Sequence, residues 1–350
     1  MNAEDRGYFF MKSFLFSLKR PVQNILLLLG SIVVFLLSVE GLFRLLGIAR
    51  VKPYSDRDWY NQYVRLNSKG FRDYEHTEEK PPGTFRILGI GDSYTFGVRV
   101  NFEDIYLTRL ERMLNEKYPS RHYEVINMGV PGYGTVEELR LLQKKGLLYH
   151  PDLVIVGYVL NDAEHPLSEH LYKKKVQALV ATEPDYSKKL REISEFYRYV
   201  YFLYFWGIKG RDLDRDGYLA SLYSAETNPY LHDVKRALAQ MIQLVKQQNG
   251  QVLVVLFPIF SPDPREEERF AQARRIVQTT CLHQGAFFLD TYPFFRDVLK
   301  SGKAKRYWAT PFDAHPNKEA HALIAEQIFK VIAEEKLITG DGQWAVDNEP

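Results

Sequence analysis

Three residues have side chains that can together break an ester bond: Ser93, Asp313 and His315. A serine hydroxyl is a weak nucleophile until a base takes its proton, and the ordinary pKa of histidine suits that task. Asp313, two residues before His315, can hold the imidazole in the useful tautomer and stabilise its charged form. The pattern therefore predicts a serine nucleophile served by a histidine base.

This chemistry also needs hydrogen-bond donors aimed at the negative oxygen that develops on the substrate carbonyl. We predict three donors: the backbone N–H of Ser93, the backbone N–H of Gly132 and the side-chain amide of Asn161. Gly132 suits this role because a residue without Cβ lets the backbone approach a ligand closely; Gly129 is the less favoured choice. We expect Asp92 to fix the turn beside Ser93, and the chemistry requires no metal or organic cofactor.

Short apolar runs precede the nucleophile and the two other oxyanion donors. "FRILGIG" ends just before Ser93, "YEVINMG" before the loop that holds Gly132, and "PDLVIVGYV" before Asn161. Segments with helical spacing separate the runs, and the closing helix is predicted directly after His315. Alternating strands and helices with short loops predict a parallel sheet covered by helices on both faces. Sites in such sheets form beyond the carboxyl ends of the strands, where all five residues are expected.

Four blocks resemble those of the SGNH hydrolases, also called the GDSL-like family. They are "GDSYTFG", "NMGVPGYG", "YVLND" and "DAHPN", and the resemblance covers residues 86–335. It implies a flavodoxin-like three-layer α/β/α sandwich and a serine esterase. It also implies Ser93 as nucleophile, His315 as base with Asp313 as its orienting acid, and Gly132 and Asn161 in the oxyanion hole.

Two positions depart from the family pattern. Val159 stands where many members carry glycine, and Phe312 stands where many carry the acid. The second departure leaves two partners open for His315: the Asp313 carboxylate or a backbone carbonyl. The pattern G-x-S-x-G is absent, which argues against an ordinary α/β-hydrolase.

The expected substrate is an ester-bearing small molecule or an acylated glycan, for example an acyl group on cell-envelope carbohydrate. Two other functions stay open at this stage. An acyltransferase would use the same residues and pass the acyl group to a sugar hydroxyl. A non-catalytic carbohydrate-binding or assembly module would keep only the fold.

A long apolar segment lies near the N-terminus. No charged residue occurs between Arg20 and Glu40, and 19 residues in a helix span about 28 Å, roughly one hydrocarbon thickness. The run continues without the small-residue cleavage pattern of a signal peptide, which favours an uncleaved anchor. Basic residues are equal in number on both sides, so charge alone does not orient it.

The segment "RLNSKGFRD" after this anchor resembles bacterial membrane-anchored members of the family. That resemblance implies a single-pass protein of the inner membrane with its catalytic domain in the periplasm. The predicted organisation is a cytoplasmic segment at 1–20, an anchor at 21–46, a spacer at 47–84, a hydrolase domain at 85–337 and a tail at 338–350.

Residues 164–230 interrupt the alternation with an aromatic-rich, helical insertion. It contains "YRYVYFLYFWG", which predicts either a helix packed on the domain or an amphipathic helix that covers the site or touches lipid. The net charge of +2 over 350 residues gives no indication of a nucleic-acid partner. The lone cysteine, Cys281, excludes an internal disulfide and is expected in the core.

Overall fold

The computed structural model describes residues 3–46, 56–165, 174, 177–178, 181–207, 214–310 and 313–338. The chain divides into two compact units. The first contains Met1–Tyr54 with Val180–Lys209, and the second contains Ser55–Leu179 with Gly210–Pro350. Most of the predicted C-terminal tail, 339–350, lies outside the described residues.

The second unit is built on a five-stranded parallel sheet with the order β2-β1-β3-β4-β5. A separate antiparallel pair, β6 and β7, follows near the C-terminus. The strands are β1 (Thr84–Gly91), β2 (His122–Gly129), β3 (Leu153–Tyr158), β4 (Gln251–Leu256), β5 (Phe287–Asp290), β6 (Trp308–Thr310) and β7 (Asp313–Pro316).

Helices connect and cover the strands. In chain order the described α-helices are α1 (Ala3–Leu46), α2 (Asp56–Tyr63), α3 (Ser93–Phe96), α4 (Tyr106–Lys117), α5 (Thr135–Lys144), α6 (Asp185–Ile193), α7 (Glu195–Gly207), α8 (Arg215–Ser221), α9 (Leu231–Gln247), α10 (Glu266–Arg269), α11 (Ala271–His283), α12 (Tyr292–Lys300) and α13 (Lys318–Glu334). Short 3₁₀ helices span Phe102–Asp104, Gly146–Tyr149, Leu160–Ala163 and Ala304–Tyr307.

The sheet is buried on both faces, as its apolar strands require. Every residue of β1 and β3 is buried, and α4 contributes Leu107, Leu110 and Leu114 at helical spacing to the same core. Cys281 is also buried, as expected. The prediction of a flavodoxin-like α/β/α sandwich with a parallel sheet is confirmed.

Part of the segment predicted as a spacer packs into the second unit. Phe71 and Arg72 are buried, and the Arg72 guanidinium donates to the carbonyl oxygens of Gly97 (2.5 Å) and Val100 (2.7 Å). These residues of the segment are therefore packed in the interior of the second unit. The sequence did not indicate this because the segment is polar, and its buried arginine is satisfied by carbonyl groups that follow β1.

The first unit combines α1 with α6 and α7, two helices that lie within the predicted insertion at 164–230. Within α1, Val22–Leu46 is apolar and long enough to cross a membrane, and none of its side chains is buried. This range closely matches the predicted anchor at 21–46. The aromatic-rich segment forms α7, which agrees with the predicted helix.

Candidate active site

A sharp turn from β1 into α3 presents the Ser93 hydroxyl at the carboxyl end of the sheet. Strand β1 ends at Gly91, and the Asp92 carboxylate accepts the backbone N–H of Tyr94 at 2.8 Å, which caps the short helix. This hydrogen bond confirms the prediction that Asp92 fixes the turn. Gly97, with φ of +77°, then ends the helix.

Two glycines at strand ends allow α3 to lie directly on the sheet. A Cβ on Gly129 of β2 would stand 2.3 Å from the backbone nitrogen of Phe96, and a Cβ on Gly157 of β3 would stand 2.3 Å from Oγ1 of Thr95. Neither distance is compatible with a side chain. The glycines thus bring the nucleophile helix close to its two neighbouring strands.

Ser93, His315 and Asp313 form a continuous hydrogen-bonded series. The Ser93 Oγ lies 2.9 Å from Nε2 of His315, and Nδ1 of the same ring lies 2.5 Å from Oδ1 of Asp313. Of the two partners left open for His315, the structure contains the carboxylate. The serine and the histidine are 222 residues apart in sequence, so only the fold brings them together.

The hairpin of β6 and β7 holds the acid and the histidine. The Trp308 indole N–H donates to the carbonyl of Phe260 at 2.7 Å, which attaches β6 to the loop after β4. Asn317 follows β7, and its side chain accepts the N–H groups of Glu319 and Ala320 at the start of α13. His315 is therefore fixed between an anchored strand and a capped helix.

Arg99 is a fourth member of this series that the sequence analysis missed. Its Nε donates a hydrogen bond to Oδ2 of Asp313, the carboxylate oxygen that does not contact His315. The Arg99 side chain is only 4% exposed, and its φ of +62° is uncommon for a residue other than glycine. No local motif indicates the pair, because its members are 214 residues apart.

The electrostatics favour a charged acid and a histidine that holds its proton more tightly than usual. Burial raises the pKa of Asp313, but the hydrogen bond and charge of His315, together with the charge of Arg99, outweigh burial and leave that pKa well below its ordinary value. Burial lowers the pKa of His315, and the hydrogen bond and charge of Asp313 overcome this, so the pKa is raised overall.

The three predicted oxyanion donors differ in their present partners. The backbone N–H groups of Ser93 and Gly132 donate to no other group in the described part of the chain, and Gly132 is exposed in the turn after β2 with φ of +81°. Asn161 donates from Nδ2 to the Asp92 carboxylate at 3.3 Å. By contrast, the N–H of Gly129 already donates to Oδ1 of Asn127 at 2.9 Å, so Gly132 remains the better candidate.

Asp92 also links the nucleophile to the amide donor. Its Oδ2 lies 3.2 Å from Oγ of Ser93 and 3.3 Å from Nδ2 of Asn161. The residue is 1% exposed, and burial raises its pKa despite these hydrogen bonds. One oxygen of Asp92 thus contacts both the nucleophile and the predicted amide donor.

A second histidine, His321, lies on α13 six residues after His315. It is buried, its Nδ1 accepts the backbone N–H of Tyr106 at 3.2 Å, and burial lowers its pKa to about 3. It is a packing histidine whose ring stacks on that of Tyr106, with centroids 5.9 Å apart. Among the described residues, no group of three or more histidine, cysteine or acidic side chains is placed to hold a metal ion.

Comparison with protein families decides the relationship. The model of the GDSL-like lipase/acylhydrolase family matches residues 90–323, which include every residue of the series described above. The chain belongs to this family. It is therefore a hydrolase that acts on ester bonds, as predicted.

Similar solved structures include TesA, with 16% identity, a TM-score of 0.43 and coverage of 71% of this chain and 98% of that chain. The acetylxylan esterase Axe2 of Geobacillus stearothermophilus has 16% identity, a TM-score of 0.45 and coverage of 71% and 94%. A two-domain esterase active on acetylated mannans has 16% identity, a TM-score of 0.41 and coverage of 76% and 53%. No curated protein sequence matches the chain.

Proposed function

We propose that this GDSL-family hydrolase is a serine esterase that uses Ser93 as nucleophile, His315 as general base and Asp313 as the orienting acid. The observation that carries the proposal is the pair of short distances on either side of the imidazole. Ser93 Oγ lies 2.9 Å from Nε2 and Asp313 Oδ1 lies 2.5 Å from Nδ1, which leaves Nε2 free to accept the serine proton.

In the acylation step, Ser93 Oγ attacks the ester carbonyl carbon while its proton passes to Nε2 of His315. The carbonyl π electrons move onto oxygen, and the N–H groups of Ser93 and Gly132 and the Asn161 amide stabilise that oxyanion. When the tetrahedral intermediate collapses, the bond to the alkoxy oxygen breaks. The imidazolium then returns its proton to the leaving alcohol.

In the deacylation step, water takes the place of the alcohol. His315 accepts a proton from water as the water oxygen attacks the acyl carbon, and the same donors stabilise the second oxyanion. Collapse breaks the bond to Ser93 Oγ, which regains its proton from His315. The products are one carboxylic acid and one alcohol for each ester consumed, and no cofactor takes part.

For the substrate we propose O-acyl groups, acetyl included, on cell-envelope carbohydrate. The apolar helix Val22–Leu46 supports attachment to a membrane, and the resemblance of residues 65–73 to membrane-anchored bacterial relatives supports a catalytic domain on the periplasmic side of the inner membrane. We accordingly propose that α1 is an uncleaved anchor and that the second unit works at the cell envelope.

Labelling with a fluorophosphonate probe tests the catalytic proposal, because such probes form a bond only with an activated serine. We expect labelling of the full-length protein in detergent and its loss in Ser93→Ala. Ser261→Ala is a matched control, since Ser261 is a buried serine in the loop after β4 outside the catalytic series. Persistent labelling of Ser93→Ala, or none of the folded wild type, would refute the proposal.

Acetate release from acetylated xylo-oligosaccharides and from O-acetylated peptidoglycan tests the substrate class. We expect release that depends on Ser93, together with a preference for acetyl over longer acyl chains among p-nitrophenyl esters. If the acetate released equals the ester consumed, the reaction is hydrolysis. If less acetate is released and the missing acetyl groups are found on added sugar acceptors, the enzyme is a transferase.

A further inference from the structure

The end of α1 is joined to the helical hairpin of α6 and α7 by a polar contact. The Glu40 carboxylate accepts the Ser194 hydroxyl at 2.7 Å and the backbone N–H groups of Glu195 and Phe196, both at 3.1 Å. Free N–H groups at a helix start require such acceptors, so Glu40 caps α7. A carboxylate in an apolar helix therefore has a structural use here.

Further contacts make this joint specific. Arg44 donates to the carbonyl of Ile193, the last residue of α6, at 2.6 Å. The Phe43 ring packs edge-on against the rings of Phe196 and Tyr199, with centroids 5.4 Å apart in both pairs. The hairpin thus begins where the membrane-spanning candidate ends.

Each hairpin helix has one exposed apolar stripe. The residues are Tyr186, Leu190 and Ile193 on α6, and Val200, Leu203 and Tyr204 on α7. Their exposed fractions lie between 37% and 68%. Spacings of three and four residues place each set on a single helix face.

Polar side chains contact one another on another face of the hairpin. Glu183 accepts the hydroxyl of Ser187 at 2.5 Å and Nε of Arg191 at 2.7 Å, and the Arg191 guanidinium lies 4.7 Å from the centre of the Tyr201 ring. Glu183 and Ser187 are buried, as are Tyr201, Phe202 and Phe205 of α7, so the exposed stripes are apolar surface additional to the face that the hairpin already buries.

Both stripes reach the joint with α1. The α6 stripe ends at Ile193, which Arg44 contacts, and the α7 stripe continues from Phe196, which Phe43 contacts. Leu45 and Leu46, next to these residues of α1, are also exposed. Exposed apolar side chains therefore occur on both sides of the joint, at the end of α1 and on the hairpin.

We infer that the hairpin 181–207 lies in the bilayer interface, with the stripes in contact with lipid acyl chains. This inference rests on the proposal that α1 spans the membrane. The two tyrosines suit the boundary between apolar chains and headgroups, and the exposed Lys189 suits contact with anionic headgroups. The hairpin gives the protein a second membrane attachment beside its anchor.

Spin-label accessibility of the full-length protein in nanodiscs of POPC and POPG (3:1) tests the inference. Leu203→Cys reports on the stripe. Leu148→Cys is the matched control, because Leu148 is exposed to nearly the same extent (49% against 46%) but lies in the other unit. Cys281 is buried and stays in place, with the wild type as the labelling background.

We expect the label at 203 to collide more with oxygen, which partitions into lipid, than with a water-soluble nickel chelate, and the label at 148 to show the reverse. Equal chelate accessibility at both sites, with the protein still resistant to carbonate extraction, would overturn the inference and leave the anchor intact. Extraction by carbonate would overturn the anchor proposal and this inference together. With either of these outcomes, full fluorophosphonate labelling would still support Ser93 as the nucleophile.

Discussion

Arg99 binds the oxygen of Asp313 that faces away from His315. One carboxylate therefore bridges a guanidinium and an imidazole, with Oδ2 used by the first and Oδ1 by the second. A carboxylate held at both oxygens cannot rotate, and its orientation sets that of the histidine ring. Arg99 is thus placed to act as a positioning residue.

Replacement of Arg99 should lower kcat without much change in KM, because the buried side chain acts through its hydrogen bond to Asp313. We expect Arg99→Gln to lose on the order of 10- to 100-fold in kcat, the loss that follows a small misplacement of a catalytic group. Arg99→Lys keeps the positive charge, and lysine must adopt the same positive φ as arginine. This variant should therefore retain more activity than Arg99→Gln. Kinetics with p-nitrophenyl acetate measure the effect; equal losses in both variants would contradict a role for the charge.

Replacement of Asp313 should change the pH profile as well as the rate. The pKa of His315 is raised above its usual 6.5 mainly because the effect of Asp313 exceeds that of burial. His315 acts as a base only when neutral, so activity falls as the pH drops through this pKa. Asp313→Asn removes the charge, and the acid limb of kcat/KM should move to lower pH while kcat falls about 10³- to 10⁴-fold. If the acid limb of kcat/KM is at the same pH in Asp313→Asn as in the wild type, a group other than His315 is responsible for that limb.

Removal of the Asn161 amide should affect the transition state more than substrate binding. We expect Asn161→Ala to lose about 10²- to 10³-fold in kcat with little change in KM. Asn228→Ala is a suitable control, because Asn228 is a buried asparagine that donates only to backbone carbonyls in the same unit. A large rise in KM with kcat preserved would place Asn161 in ground-state binding instead.

Substitution by alanine should destabilise the protein to different extents at two glycines near the site. A Cβ at Gly129 would overlap the backbone of Phe96, whereas the space around Gly132 is open and only its φ of +81° is unfavourable. We expect Gly132→Ala to cost roughly 1–2 kcal/mol of stability. Gly129→Ala should cost more and displace Ser93, because backbone must move. Thermal unfolding and fluorophosphonate labelling of both variants check this ranking.

Glu266 should make the protein less stable at alkaline pH. It is 1% exposed, and burial raises its pKa to about 9. The folded protein keeps the Glu266 proton up to about pH 9, whereas the unfolded chain loses it near pH 4.5. The resulting contribution to the free energy of unfolding is complete below pH 4.5 and declines between these two values, by up to about 1.4 kcal/mol per pH unit. Glu266→Gln should therefore gain stability relative to the wild type from pH 5 to pH 9. Melting temperatures of both proteins across this range test it, and parallel curves would contradict it.

The sequence alone determined the alternation of strands and helices and the placement of the candidate site residues at the ends of these elements. Those features are local: apolar runs of strand length, amphipathic helical spacing, and Ser93, Asn161 and His315 placed beside them. The site could be predicted because parallel strands bring their carboxyl ends to one edge whatever the loops between them contain.

The tertiary structure decided what depends on distant pairs. Arg99 with Asp313, Arg72 with the carbonyls after β1, and Glu40 with the start of α7 each join residues that no local pattern connects. It also decided that Asp313, and not a backbone carbonyl, faces His315. The physical reason is that a hydrogen bond acts over about 3 Å in space and depends on sequence only through the path of the folded chain.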